Sequence, residues 1–87
     1  MTEKIFDDIN GVIFDSFDFR LEVYEALKRS PDVATMLLRK EMENDAKMCG
    51  GSARLVNAAS FIHPDVKEEL SKKFLDYQQR ILDAIRE

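Results

Sequence analysis

Eighty-seven residues, of which 45% are hydrophobic and 34% charged, suffice for one domain with one core. The formal charge of −4 opposes direct nucleic-acid binding, which needs a dense basic face. A single cysteine, Cys49, excludes an internal disulfide, and every apolar run is far shorter than the ~20 residues of a membrane span. We therefore expect one helical domain over residues 1–87 in a soluble cytoplasmic protein without a membrane partner.

The first 29 residues have apolar side chains at helical spacing. Thr2 suits an N-cap, and a first stripe follows at Ile5, Ile9, Val12 and Ile13, with the unfavourable Gly11 inside it. Asp15 or Ser16 then suits the cap of a second helix to about Arg29, whose apolar positions are Phe17, Leu21, Tyr24 and Leu27. One bent helix over the same residues is the alternative.

Ser30-Pro31-Asp32 predicts the start of a third helix, because Ser suits the cap, Pro the first helical position and Asp the helix dipole. Gly50-Gly51-Ser52 predicts its end, since glycine readily adopts the left-handed conformation that commonly terminates a helix. A short fourth helix is expected from Ala53 to about Ile62.

His63-Pro64-Asp65 again has the pattern of a helix start. The segment after it has the clearest periodicity of the chain, with one apolar stripe at Val66, Leu70, Phe74, Tyr77, Ile81, Ala84 and Ile85. The predicted fold is all-α, a compact bundle or array of four to five helices in which the C-terminal helix is the longest.

The N-terminal part of the chain combines acidic charge with aromatic rings. Residues 1–25 contain seven acidic and two basic residues, a net charge of −5, and five of the eight aromatic residues. Phe17, Leu21 and Tyr24 are expected in the core, whereas Phe14 and Phe19 fall on other faces. An acidic surface with exposed rings suits a basic protein partner, because charge steers the encounter and rings supply contact area.

The sequence thus predicts a non-enzymatic binding module, an adaptor or an inhibitor of the kind that phages encode. Its predicted contacts with a basic surface on a larger protein are Phe14, Asp15, Asp18, Phe19 and Glu22. The alternative for the two rings is packing within the chain. Six Phe residues also make a homodimer plausible, with Leu38 and Met42 as a second candidate contact.

A small anion or nucleotide is an alternative ligand. Gly50, Gly51 and Ser52 ahead of a helix, with Arg54 in its first turn, would offer backbone N–H groups and a cation to a phosphate. The simpler interpretation of the double glycine is a turn. No catalytic set is indicated, since Cys49 lacks an orienting third group and one histidine excludes multi-histidine metal sites. No cofactor is expected.

His63-Pro64-Asp65 resembles the tripeptide that defines J-domains, and the segment from Lys73-Phe74 to Ile81-Leu82 is loosely similar to their final helix. The resemblance implies a co-chaperone in which His63, Pro64 and Asp65 contact the ATPase of a heat-shock chaperone. The same three residues also form a good helix start without any partner.

Overall fold

The computed structural model describes residues 2–30 and 32–86, with side chains described for 7–30 and 32–86. Three α-helices account for nearly all of them: α1 Thr2–Leu27, α2 Val33–Ala58 and α3 Pro64–Arg86. The all-α prediction is confirmed. The predicted number of helices is wrong, because there are three among the described residues, and α3 with 23 residues is shorter than α1 and α2 with 26 each. The predicted cap at Thr2, the Ile5 side chain and Pro31 fall outside this description.

The two helices predicted before Ser30 are one continuous helix, α1. The side chain of Ser16 does not start a new helix: its Oγ donates a hydrogen bond to the carbonyl of Val12, four residues earlier, at 3.0 Å. Gly11 lies exposed within α1, where its lower helix propensity is tolerated because the packed helix is long.

Two predicted boundaries of α2 are wrong. Asp32 rather than Ser30 caps its start, since the Asp32 carboxylate accepts a hydrogen bond from the Ala34 N–H at 3.1 Å. Gly50-Gly51-Ser52 is not a helix end but lies inside α2, which continues to Ala58. The separate fourth helix is therefore the C-terminal part of α2.

Gly50 has a packing role instead of a turn role. A Cβ atom at this position would lie 3.0 Å from Nε2 of Gln78 on α3, tighter than ordinary van der Waals contact. The same Gln78 amide donates a hydrogen bond to the carbonyl of Ala46 at 2.9 Å. Small side chains thus let α2 and α3 approach closely, and most close backbone approaches between helices in this molecule are between these two.

The core lies where the large side chains of α1 and α3 meet Met42 and several smaller side chains of α2. Its fully buried members are Phe17, Phe74, Met42, Ile81 and Cys49. Phe14 and Tyr24 from α1 and Tyr77 from α3 extend it. Because α1 contributes bulky rings, its backbone stands further from α2 and α3 than those two stand from each other. The molecule is elongated and flat, 45 × 21 × 14 Å.

Candidate interaction surface

The α1 helix is apolar on two opposite sides. Its inner side holds Phe14, Phe17 and Tyr24, each no more than 5% exposed, with Leu21 packed beside them. Its other side carries large apolar residues in solvent: Ile9 is 54% exposed, Val12 67% and Phe19 65%. Successive residues turn by about 100° around the axis, which places Val12 and Phe19 opposite Phe14 and Phe17.

We call the second side the outer α1 stripe and define it by Ile9, Val12, Ser16, Phe19, Val23 and Ala26. Its members are spaced alternately three and four residues apart along the part of α1 whose side chains are described. This is the spacing of the a and d positions of a coiled-coil heptad, the pattern with which one helix packs along another. Ser16 fits the pattern because its hydroxyl is already bonded to the Val12 carbonyl and leaves no unpaired donor.

An acidic row flanks the outer α1 stripe. Asp8, Asp15 and Glu22 are spaced by seven residues, fall at the heptad position beside the stripe, and are all exposed. Among the residues that the structure describes, none of these three carboxylates has an ion-pair partner. The outer α1 stripe and its acidic row therefore form an apolar strip with negative charge along one edge.

Three of the five residues predicted to bind a partner lie on this surface: Phe19 in the stripe, and Asp15 and Glu22 in the acidic row. Phe14 does not, and its assignment to a partner contact is wrong. Its ring stacks on Tyr77 with centroids 5.2 Å apart and lies 4.8 Å from the Phe74 ring. The reason is angular, since five residues separate Phe14 from Phe19 by about 140° around the helix axis.

Asp18 lies at the border between the two sides and holds α1 against α3. Its carboxylate accepts a hydrogen bond from the Tyr77 hydroxyl at 2.8 Å, and Arg80 Nη2 lies 3.8 Å away. Burial, followed by the bond to Asp18, raises the pKa of Tyr77, whereas Arg80 lowers it. The Asp18 carboxylate thus has partners within the chain, whereas Asp15 and Glu22 have no ion-pair partner among the described residues.

A partly buried ion pair that the sequence analysis missed joins α1 to α2. Arg20 Nη2 donates to Asp45 Oδ1 at 2.9 Å, and Nε donates to the other carboxylate oxygen, so the pair is bidentate. Asp45 is 3% exposed. A charged residue in line with the buried Met42, Cys49 and Ala53 was the available signal, because a carboxylate on the inner side of a helix requires a cation there.

The second candidate contact for a homodimer is also part of the core. Met42 is fully buried, and Leu38 packs against the core of the same chain. These two side chains are therefore not an exposed surface.

The predicted anion site lacks the feature on which it depended. Gly50, Gly51, Ser52 and Arg54 all lie within α2, so no helix begins there and their backbone N–H groups belong to the interior of a helix. Arg54 is exposed, and Ser52 is half-buried beside apolar neighbours. These residues do not form a cradle for a phosphate.

His63, Pro64 and Asp65 lie in the α2–α3 connection and begin α3. His63 Nδ1 accepts a hydrogen bond from the Asp65 N–H at 3.3 Å, and its carbonyl accepts one from the Lys67 N–H at 2.9 Å. These are the bonds of a helix cap. The His63 and Asp65 side chains are both exposed, so nothing in the fold buries the tripeptide.

Cys49 is a core residue. Burial, and secondarily the nearby Asp45 carboxylate, raise the pKa of its thiol to about 11, so at neutral pH it is protonated and a poor nucleophile. Among the described side chains, no group of three or more His, Cys, Asp or Glu residues is placed to hold a metal ion. In the same part of the chain, no helix combines the length and apolarity of a membrane span.

Comparison of the chain with protein-family models, curated proteins and solved structures found no match. The functional argument therefore depends on the surface itself.

Proposed function

We propose that the chain is a non-enzymatic protein-binding module, an adaptor or inhibitor, whose outer α1 stripe docks on an amphipathic helix with a basic flank. One observation carries the proposal: α1 has a second, solvent-exposed apolar stripe at coiled-coil spacing, bordered by an acidic row. A single helix of a small domain needs only one apolar side to join the core. Large exposed apolar strips with polar borders are typical of interaction sites.

The acidic row favours a basic partner, rather than a second copy of this chain, as the occupant of the outer α1 stripe. In an antiparallel pair of α1 helices, the rows of Asp8, Asp15 and Glu22 would face each other and repel. In a parallel pair, Asp15 would face Arg20, which is already paired with Asp45, and the other two acids would face apolar positions. A partner with Lys or Arg beside its apolar positions would instead match all three carboxylates.

The proposal is tested with two synthetic helical peptides of identical heptads, with Ile and Leu at the core positions and either Lys or Glu at both flanks. We expect the Lys peptide to bind, with an affinity that falls as salt rises, and the Glu peptide not to bind. Fluorescence anisotropy of a labelled peptide measures both. The Val12→Glu/Phe19→Glu variant should weaken binding at least about tenfold, because it places charge in an apolar contact.

Matched controls separate the surface from general effects of charge. Leu37→Glu/Leu55→Glu makes the same change on exposed apolar residues of α2 and should leave binding unchanged. Asp15→Lys/Glu22→Lys should weaken binding, whereas Glu43→Lys/Asp76→Lys, with an equal change of net charge at exposed sites, should not. Equal binding of both peptides contradicts the proposal, as does a homodimer in sedimentation that Val12→Glu/Phe19→Glu dissociates.

A further inference from the structure

A buried polar side chain without a partner lies on the inner side of α1. Asn10 is 6% exposed, and its Nδ2 atom has no hydrogen-bond partner among the residues that the structure describes. A buried donor without an acceptor is destabilising, and most buried polar atoms in folded proteins are paired. The Asn10 amide therefore indicates a place where an acceptor from outside the chain would be stabilising.

Asn10 lies between two grooves, of which one is also lined by the charged residues Asp7, Glu69 and Lys73. The other is an apolar groove between α1, the end of α2 and the α2–α3 connection. The groove has a volume of about 390 Å³, within the range of small-molecule sites. Its other principal lining residues are Ser52, Leu55, Val56, Phe61, Ile62 and Phe74. Phe74 and Ile62 are buried, whereas Leu55 and Phe61 are exposed at the rim.

The lining determines the chemistry of a suitable ligand. Among the residues that the structure describes, those around the groove are apolar except Asn10 and Ser52, and none is charged. An ionised carboxylate or phosphate would lose its hydration there without gaining a cation. A molecule with a mainly apolar body and one carbonyl or hydroxyl oxygen would fill the groove and accept the Asn10 hydrogen bond.

We infer that this groove is a binding site for a small, neutral, mainly apolar molecule, oriented by a hydrogen bond from Asn10 Nδ2 to its oxygen atom. The site is separate from the outer α1 stripe, because Asn10 belongs to the inner side of the helix. Binding at either place does not require binding at the other.

The test uses acetophenone and ethylbenzene, which differ only in having a carbonyl or a methylene group next to the ring. The chain has five side-chain amides, those of Asn10, Asn44, Asn57, Gln78 and Gln79, so the Asn10 signals are readily assigned by NMR. We expect acetophenone to shift the Asn10 amide signals and to bind about fivefold more tightly than ethylbenzene, the effect of one net hydrogen bond. Ethylbenzene should shift only the apolar groove residues.

Asn10→Leu removes the donor and keeps the volume of the side chain. This variant should lose the preference for acetophenone and bind ethylbenzene at least as tightly, because the buried carbonyl oxygen would have no donor. It should also melt at a higher temperature than the wild-type chain, because an unpaired amide has been removed. Asn44→Leu, at an exposed asparagine of α2, should keep the preference for acetophenone. Equal affinity of the wild-type chain for the two compounds, or no shift with either at millimolar concentration, would overturn the inference.

Discussion

Helices α1 and α3 differ in what lies opposite their buried sides. α3 buries Phe74, Tyr77, Ile81 and Ile85, and its opposite side is almost entirely charged or polar. α1 buries Phe14, Phe17 and Tyr24 and exposes Ile9, Val12 and Phe19 on the other side. A helix with one apolar side buries that side in the core. A helix with two apolar sides buries one and exposes the other, which is then available to a partner. The difference separates the part of the sequence that specifies the fold from the part available for binding.

The largest expected effect comes from two phenylalanines on the two sides of α1. Phe17→Ala should lower the free energy of unfolding by about 3–5 kcal/mol, because Phe17 is 1% exposed and its removal leaves a cavity. Phe19→Ala should change it by less than about 0.5 kcal/mol, since this ring is exposed. Urea unfolding followed by circular dichroism measures both. Similar losses for the two variants would mean that the outer α1 stripe is part of the core.

The contact between α1 and α2 is tested at the partly buried ion pair of Arg20 and Asp45. Arg20→Gln leaves the buried Asp45 carboxylate without its cation and should destabilise the fold by about 2 kcal/mol. Arg54→Gln, at an exposed arginine of α2, should change stability by less than about 0.5 kcal/mol. Adding Asp45→Asn to Arg20→Gln should recover part of the loss. Equal losses of unfolding free energy for the two arginine variants would show that the ion pair does not hold α1 against α2.

The core beneath α1 is tested by alkaline pH. The Cys49 thiol has a pKa of about 11 in the fold, raised by burial from an ordinary value of 9.0. Between these pH values the unfolded chain loses the proton while the folded chain keeps it, so stability is full below the lower value and falls as pH rises. From about pH 8 to about pH 10.5, the free energy of unfolding should fall by about 2 kcal/mol more for the wild-type chain than for Cys49→Ala. Urea unfolding under reducing conditions measures this difference. An equal fall in the free energy of unfolding for the two chains would mean that Cys49 is in contact with water.

The smallest effect compares adjacent glycines of α2. Gly51→Ala should stabilise the chain by about 1 kcal/mol, because a Cβ there meets no atom and alanine favours the helix. Gly50→Ala should gain about 1 kcal/mol less, since its Cβ displaces the Gln78 amide from the Ala46 carbonyl. In a Gln78→Ala background the two substitutions should have the same effect. Thermal unfolding detects the difference, and equal gains in the wild-type background would contradict close α2–α3 packing at Gly50.

Several features were predictable from residue type and spacing alone. The buried positions of Phe17 and Tyr24 in α1, and of Phe74 and Ile81 in α3, follow from their helical spacing. The exposure of Phe19 follows from its position opposite that set. The start of α3 at His63-Pro64 follows from the fixed φ of proline and its missing N–H.

The helix boundaries in the middle of the chain were not predictable in this way. Ser16 and Gly50-Gly51 have the residue types of a cap and a helix end, yet both lie inside helices. Local propensities of about 1 kcal/mol per residue are smaller than the packing energy of a long helix against a core, so tertiary contacts decided these positions. The pairing of Arg20 with Asp45 likewise joins residues 25 apart in the chain.

By itself, the sequence determined that the chain is helical, which stripe of α3 is buried, and that the N-terminal part combines acids with aromatic rings, because these properties depend on composition and periodicity. Only the tertiary structure decided that α1 and α2 are each uninterrupted and that Phe14 lies in the core. It also decided that Asp15 and Glu22 have no ion-pair partner, and that the buried Asn10 amide has no hydrogen-bond partner, among the residues that the structure describes. Those outcomes depend on which helices lie next to each other and how closely they approach, and a single stripe of residues does not specify its neighbours.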